Sequence, residues 1–296
     1  MSTSPECLWP LGAELGEGPV WRQAQSPADA ALYFVDIKGR QIHRCAADGT
    51  GQQSWAAPSA IGFVQPLADG DFVAGLQDGL YRFSPGSGDF KALIAVDAHQ
   101  PGNRLNDANV DAQGRLWFGT MDNAEIEPSG SLYRVGADGK LRAEDCGYVI
   151  TNGPAQSPDG RHLYHTDTLA QKVYAFDLSP TGTLSNKRLL ITLENGYPDG
   201  TTVDAEGHLW ICLFAGHRIE RYTPKGRLVQ TVAMPCANIT KLAFGGTDLH
   251  TAFVTTAWKG LSPAERVAQP LAGGLFSFRV NTPGLPAHPI SQGFSS

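Results

Sequence analysis

No run of lysine or arginine occurs anywhere in this 296-residue chain, and the formal net charge is −6. Nucleic-acid binders carry a basic stripe, so no nucleic-acid partner is expected. No segment approaches the roughly 20 apolar residues that a membrane helix needs, so no membrane partner is expected either. Residues 1–17 lack a basic start followed by a long apolar stretch and do not read as a secretory leader. Cysteine is sparse: Cys7, Cys45, Cys146, Cys212 and Cys236 are odd in number and widely spread, with no Cys-x-x-Cys. Reduced thiols in the cytoplasm are the simplest expectation, with all five as small buried apolar residues and none as a nucleophile. The eight histidines show no His-Glu-x-x-His spacing, which excludes that type of zinc-protease site. Long stretches of helical period are missing too. The one candidate is a turn or two at 262–269.

What is present in quantity is punctuation. Glycine (34) and proline (20) are above average usage, as many short strands and tight turns require. A turn followed by an apolar strand with an aromatic recurs. It reads Asp-Ala-Gln-Gly-Arg-Leu-Trp-Phe-Gly at 111–119, Ser-Pro-Asp-Gly-Arg-His-Leu-Tyr-His at 157–165 and Asp-Ala-Glu-Gly-His-Leu-Trp-Ile-Cys at 204–212. Weaker copies stand at 28–35, 68–74 and 245–254. A further half-buried strand follows each copy, for example Leu-Tyr-Arg-Val at 132–135 and Val-Tyr-Ala-Phe at 173–176. Six copies with several strands per unit predict an all-β fold, a six-bladed β-propeller. The gaps are too short and glycine-rich for intervening helices, and no linker interrupts residues 1–296, so a single domain is expected.

In a propeller the innermost strand of each blade should precede this turn. Equivalent positions on the six inner strands are Glu17, Gly62, Asn106, Asn152, Asp199 and Thr240, spaced 45, 44, 46, 47 and 41 residues apart. They should circle the axis at one level. Glu17, Asn106, Asn152 and Asp199 offer carboxylate and amide oxygens, the ligands that hard divalent cations prefer. Asn-Gly and Asp-Gly are also strong turn signals. Turn formation does not require side chains to converge at one repeat position, and that shared phase favours a ligand set.

Several segments resemble the gluconolactonase/regucalcin-like family of sugar lactonases. They are Leu-Gly-Glu-Gly-Pro-Val-Trp (15–21), Arg-Leu-Asn-Asp (104–107), Gly-Arg-Leu-Trp-Phe-Gly-Thr-Met (114–121), Thr-Asn-Gly-Pro (151–154) and Tyr-Pro-Asp-Gly (197–200). Tyr-His-Thr-Asp-Thr (164–168), Leu-Ser-Asn-Lys-Arg (184–188) and Pro-Leu-Ala-Gly-Gly (270–274) look most similar to bacterial pentonolactonases such as xylonolactonase. The resemblance implies one divalent metal ion held by Glu17, Asn152 and Asp199. It also implies Arg104 and Asn106 facing a small-molecule sugar lactone, with Asn106 sometimes near the metal. Animal members carry an acidic pair after Gly-Thr-Met. Here Ala124 stands at the second acid, and Asp122 is the candidate replacement as a substrate contact.

Opening a lactone needs a polarised carbonyl, an activated water and stabilisation of an oxyanion. A divalent ion supplies the first and third. Asp199 is the expected general base, with activation of water by the ion as the rival. Arg104 has two readings: orienting sugar hydroxyls or the leaving ring oxygen, or pairing with Asp107 or Asp111 between blades. Asp107 itself reads as structural, His165 as a packed core histidine, and Trp21, Trp117 and Trp210 as blade packing. Trp258 is a candidate for the pocket rim. Two other functions compete with hydrolysis of xylono-, arabinono- or gluconolactone: a non-catalytic calcium-binding regulator and a metal-dependent phosphotriester hydrolase. Calcium, magnesium, manganese, iron(II) and zinc all accept such ligands. A monomer or small homo-oligomer is expected.

Overall fold

The computed structural model describes residues 4–23 and 30–291. Its repeat is explained by what the motif's aspartate binds. Asp111 Oδ1 accepts the backbone N–H of Gln113 and of Arg115, each at 3.0 Å. Its Oδ2 accepts Arg115 Nε at 2.6 Å and Trp117 Nε1 at 2.9 Å. Asp204 repeats the pattern with the N–H groups of Glu206 and His208 and with Trp210 Nε1 at 2.9 Å. One carboxylate thus closes the turn and also satisfies the indole N–H that the next strand buries. Trp117 and Trp210 are buried, as are Trp21 and the other large residues of the repeat.

Among the described residues the strands form six antiparallel four-stranded sheets. This is the predicted six-bladed propeller. The inner strands are Gly16–Arg22, Ile61–Pro66, Asn103–Val110, Thr151–Gln156, Tyr197–Val203 and Asn238–Gly245, in blades 1 to 6 in that order. Each repeat copy supplies the second strand of its blade; residues 28 and 29 of the first copy lie outside the described residues. Aromatic side chains fill the seams between blades. Tyr33 packs on Phe72 (4.4 Å between centroids), Phe63 on Phe118 (6.0 Å) and Trp210 on Phe244 (5.9 Å). Covering both faces of each sheet by its neighbours buries far more apolar surface than a lone blade can.

The outer strands were not legible in the sequence. Gln53–Ala56 and Leu228–Ala233 are mostly exposed, so no apolar alternation marks them. The sixth blade takes its outer strand from the opposite end of the chain: Glu6–Trp9 pairs with Leu275–Arg279, placing Glu6 opposite Ser277 and Trp9 opposite Leu275. Trp9 also meets Phe34 and His43 of blade 1 edge-on, at 5.7 and 5.5 Å. It therefore fastens the last blade to the first.

The expected helix is present as Pro263–Ala268, with Ser262 and Glu265 forming a capping box. No helix among the described residues is long and apolar enough to cross a membrane. The cysteine expectation needs a correction. Cys45, Cys212 and Cys236 are buried and Cys7 partly so, but Cys146 is exposed because its strand, Leu141–Tyr148, is an outer one facing solvent. Because Trp9 links two blades, Trp9→Ala should cost about 2 kcal/mol and lower the calorimetric melting temperature by roughly 5 °C. An unchanged melting temperature would show that the ring closes without it.

Candidate active site

Regular antiparallel pairing sends alternate side chains to the faces of a blade, not to the propeller axis. Every inner strand breaks its register at or beside the predicted axial position. The irregularities fall between Glu17 and Val20, Ile61 and Phe63, Leu105 and Ala108, Asn152 and Ala155, Pro198 and Thr201, and Ile239 and Lys241. Such bulges re-aim side chains. The blank position is also explained: a Cβ on Gly62 would lie 2.2 Å from the Asn106 carbonyl oxygen. Thr240 is used locally, its hydroxyl donating to the Gly16 carbonyl at 2.6 Å.

A cavity of ≈ 300 Å³ is lined by Glu17, Asn106, Asn152 and Asp199 together with Arg104. These five are its buried end. Asn106 Nδ2 donates to Asn152 Oδ1 at 3.0 Å and to the Thr151 carbonyl at 2.7 Å. Asn152 Nδ2 donates to Thr168 Oγ1 at 2.9 Å, which turns its amide oxygen toward Asn106 and leaves that oxygen a lone pair. Arg104 Nη1 donates to Asn106 Oδ1 at 2.6 Å. The alternative partners expected for Arg104 are engaged elsewhere: Asp107 pairs with Lys241 and Asp111 with Arg115. Burial lowers the Arg104 guanidinium to about 10, against the pull of Glu125, Glu17 and Asp199, so it is a cation at neutral pH.

The Asp107–Lys241 ion pair lies one residue further along blades 3 and 6 than the axial ring. It is buried, with side chains 1% and 8% exposed. Beyond it a second cavity, lined by Lys241, Gln65, Asn109 and Gln156 among others, occupies the far side of the inner strands. Asp107 is thus engaged in a buried ion pair, in keeping with the structural role expected of it.

Both axial carboxylates are held in an unfavourable state. Burial, then the charge of Asp107, pushes Glu17 up to about 8. Burial, then the charges of Glu17 and Asp107, pushes Asp199 well above the usual carboxylate range. Glu17 Oε2 accepts the Gly18 N–H, but Glu17 Oε1 is buried without a hydrogen-bond partner. Among the described residues no three His, Cys, Asp or Glu cluster as a metal site. The donors here are two carboxylates and amide oxygens, which suits a hard cation rather than a thiolate- or imidazole-seeking one. An orphaned carboxylate oxygen beside two raised carboxylates fits a bound divalent ion.

Asp122 does not line the cavity. Its carboxylate instead accepts the N–H groups of Ala124, Ile126 and Glu127 at 2.9–3.1 Å, and the acid that does reach the cavity is Glu125. The expected contact is corrected accordingly: a carboxylate closing its own loop has few lone pairs left for a ligand. Trp258 likewise misses the rim; its indole N–H bonds the Gly12 carbonyl, and Lys259 lines the cavity in its place. Sequence reasoning missed Glu125, Lys259 and the apolar wall formed by residues such as Leu169, Tyr197 and Phe214. His165 is buried in the core against Tyr148, and burial pushes its imidazole down to about 3.

Residues 15–258 match the model of the SMP-30/Gluconolactonase/LRE-like region. The chain belongs to this family of sugar lactonases. It is 30% identical over 296 residues to the 6-deoxy-6-sulfogluconolactonase of Pseudomonas putida, covering 99% of this chain and 100% of that one. It is 35% identical over 277 residues to the L-arabinolactonase of Azospirillum brasilense, covering 92% and 90%. The solved structure of regucalcin from Agrobacterium tumefaciens, described as a calcium-binding protein, superposes with a TM-score of 0.91 at 28% identity over 97% of each chain. The family's fold is therefore the one seen here.

The raised carboxylates set a pH dependence. A folded-state value above the unfolded one contributes stability below the unfolded value, and that contribution is lost as pH rises through the folded value. For Glu17 this window runs from 4.5 to about 8. In chelator, the melting temperature should fall as pH rises from 6 to 9. A divalent ion that fits should raise it more at pH 9 than at pH 6, since its ligands must be deprotonated. A chelated protein that gains stability across this range would contradict the charge assignment.

Proposed function

We propose that this protein hydrolyses a sugar aldonolactone to the aldonic acid, using one divalent cation held by Glu17, Asn152 and Asp199, with Asn106 beside them. The observation that carries the proposal is the buried, orphaned Glu17 oxygen next to Asp199 at the closed end of an open cavity. Both named bacterial relatives are lactonases of sugar acids, one of a pentonic and one of a hexonic type. Pentono- and hexonolactones such as xylonolactone, arabinonolactone and gluconolactone are accordingly the substrates to test. A cytoplasmic setting belongs to the same proposal, because all five cysteines are free thiols.

A divalent ion in this site supplies Lewis-acid polarisation of the carbonyl and charge stabilisation. The chain's own residues do the rest. Asp199 lines the cavity beside the ligand set and is placed to take a proton from the attacking water. Water oxygen bonds to the carbonyl carbon, the bond from that carbon to the ring oxygen breaks, and the proton held on Asp199 passes to the leaving oxygen. Arg104 lines the cavity as a buried cation and offsets the developing charge on the substrate. Its bond to Asn106 fixes the amide that in turn orients Asn152. The apolar wall (Leu15, Ile37, Met121 and Phe214) limits water around the reacting carbonyl.

The description of the Agrobacterium regucalcin as a calcium-binding protein favours a second role as a cation-binding regulator. A closed binding site has no need of a cavity of ≈ 300 Å³ beside its ligands, and that favours catalysis. Acid release from xylono-, arabinono-, galactono- and gluconolactone, followed with a pH indicator, should be accelerated by the protein and abolished by chelator. Acceleration of none of them would defeat the proposal. Asp199→Asn should lower kcat by about a hundredfold, the worth of a positioned base, in a preparation shown by metal analysis to retain its ion. Full turnover in that variant would remove Asp199 from proton transfer.

A further inference from the structure

The cavity has polar groups at two separated levels. The deep level is the axial set. The second is a pair at the mouth, Glu125 and Lys259, whose carboxylate and ammonium bond each other while both line the cavity. Between the levels most of the wall is apolar, with Ile37, Met121, Ile150, Leu169 and Phe214 among its residues. Glu125 belongs to the loop after the second strand of blade 3, and Lys259 to the loop after the second strand of blade 6. Blades 3 and 6 face each other across a six-membered ring, so this bond spans the opening.

Both partners are aimed by fixed structure. The Glu125 loop is held by the Asp122 carboxylate through three backbone N–H groups and tied to blade 1 by Lys38 Nζ, which donates to Asn123 Oδ1 at 3.0 Å. Glu125 itself adopts the left-handed conformation, φ 63, a backbone state that side-chain-bearing residues rarely take unless the surroundings impose it. On the other side, the Lys259 N–H donates to the Glu14 carbonyl at 2.9 Å, and its carbonyl accepts Asn238 Nδ2 at 2.9 Å. The side chains are 33% and 29% exposed. A partly exposed pair contributes little to stability, so this scaffolding is out of proportion to a structural staple.

Resting on the lactonase function proposed above, we propose that Glu125 and Lys259 are specificity residues that bind the hydroxyl groups of the sugar lactone farthest from its carbonyl. A lactone whose carbonyl sits at the axial oxygens turns its ring faces to the apolar wall and its distal carbons to the mouth. There a carboxylate accepts two hydroxyl protons and an ammonium donates to hydroxyl oxygens. The site thereby selects polyhydroxylated lactones over unsubstituted ones of the same ring size. Specificity follows because only a substrate with hydroxyls on its distal carbons gains these charge-assisted hydrogen bonds.

The test compares kcat/KM on the sugar lactone that the wild-type protein opens fastest with kcat/KM on δ-valerolactone or γ-butyrolactone of matching ring size. Lys259→Met and Glu125→Gln should each lower the value for the sugar lactone about tenfold more than the value for the unsubstituted lactone. The ratio cancels whatever either charge does at Arg104 or Asp199, and mere loosening of the fold does not produce such a split. Lys259→Arg should restore part of the loss, since it keeps the charge and the donors. If the unsubstituted lactone is opened too slowly to follow, its inhibition constant against the sugar lactone reports the same ratio. Equal losses on both lactones, or no loss on the sugar lactone, overturn the role of the pair while leaving lactone hydrolysis intact. A wild-type protein that opens no lactone overturns both.

Discussion

Charge accounting on the propeller axis governs the rest of the structure. Glu17 and Asp199 are buried side by side, and among the described residues neither forms an ion pair. Three cations lie close enough to influence them: Arg104, Lys241 and Lys259. Each is already engaged, Arg104 with Asn106, Lys241 with Asp107 and Lys259 with Glu125. The protein's own charges therefore leave the axial carboxylates uncompensated. Burying unpaired charge is expensive enough that the group takes up a proton or a counter-ion instead. A site built this way holds an unmet demand for positive charge, and in the proposed function a polarising cation would satisfy it.

The fold makes that arrangement stiff. Six inner strands carry a bulge at the same level, and packed apolar seams, aromatic between blades 1 and 2, 2 and 3, and 5 and 6, hold the blades against one another. Gly62 shows how tight the ring is, since even a methyl group there would collide with blade 3. The Asp107–Lys241 pair lies one residue further along its strands than the ligand set and is itself buried. Preorganised dipoles and donors in a buried pocket stabilise developing charge without having to rearrange. The strand bulges, the seams and this ion pair serve the same electrostatic purpose.

What was legible in the sequence follows from what each residue is bound to. The turn aspartates and buried tryptophans recur because one carboxylate bonds both the turn and the indole, and that linkage imposes fixed spacing. Counting five residues back from the turn reaches Asn106, Asn152 and Asp199 for the same reason, whereas Glu17 stands further from its turn and shares their position through the strand bulge beside it. The outer strands left no pattern because solvent covers them and imposes no alternation. The strand Glu6–Trp9 was invisible for a different reason, since its partner lies some 270 residues away and nothing local records the pairing. Asp122 was misassigned because family spacing was applied to a loop. One turn of loop backbone moves the inward-facing acid from 122 to 125, and no periodicity runs through a loop to reveal it.

That contrast between strand and loop also separates chemistry from selectivity. The axial residues sit on strands whose bulges are locked by two neighbouring blades, so exchanging one disturbs packing, backbone register and charge together. The mouth residues sit on loops, where a substitution changes what faces the ligand and leaves the blade beneath it untouched. Reactions that share one bond-breaking step but differ in sugar therefore place their differences at the mouth. Relatives that act on different sugar acids have this division of labour open to them within a single fold. In this chain one such loop is the Asp122-capped one carrying Glu125 to meet Lys259. Its geometry is set by three backbone hydrogen bonds rather than by blade packing, which is why the mouth can change its acid while the axis keeps its own.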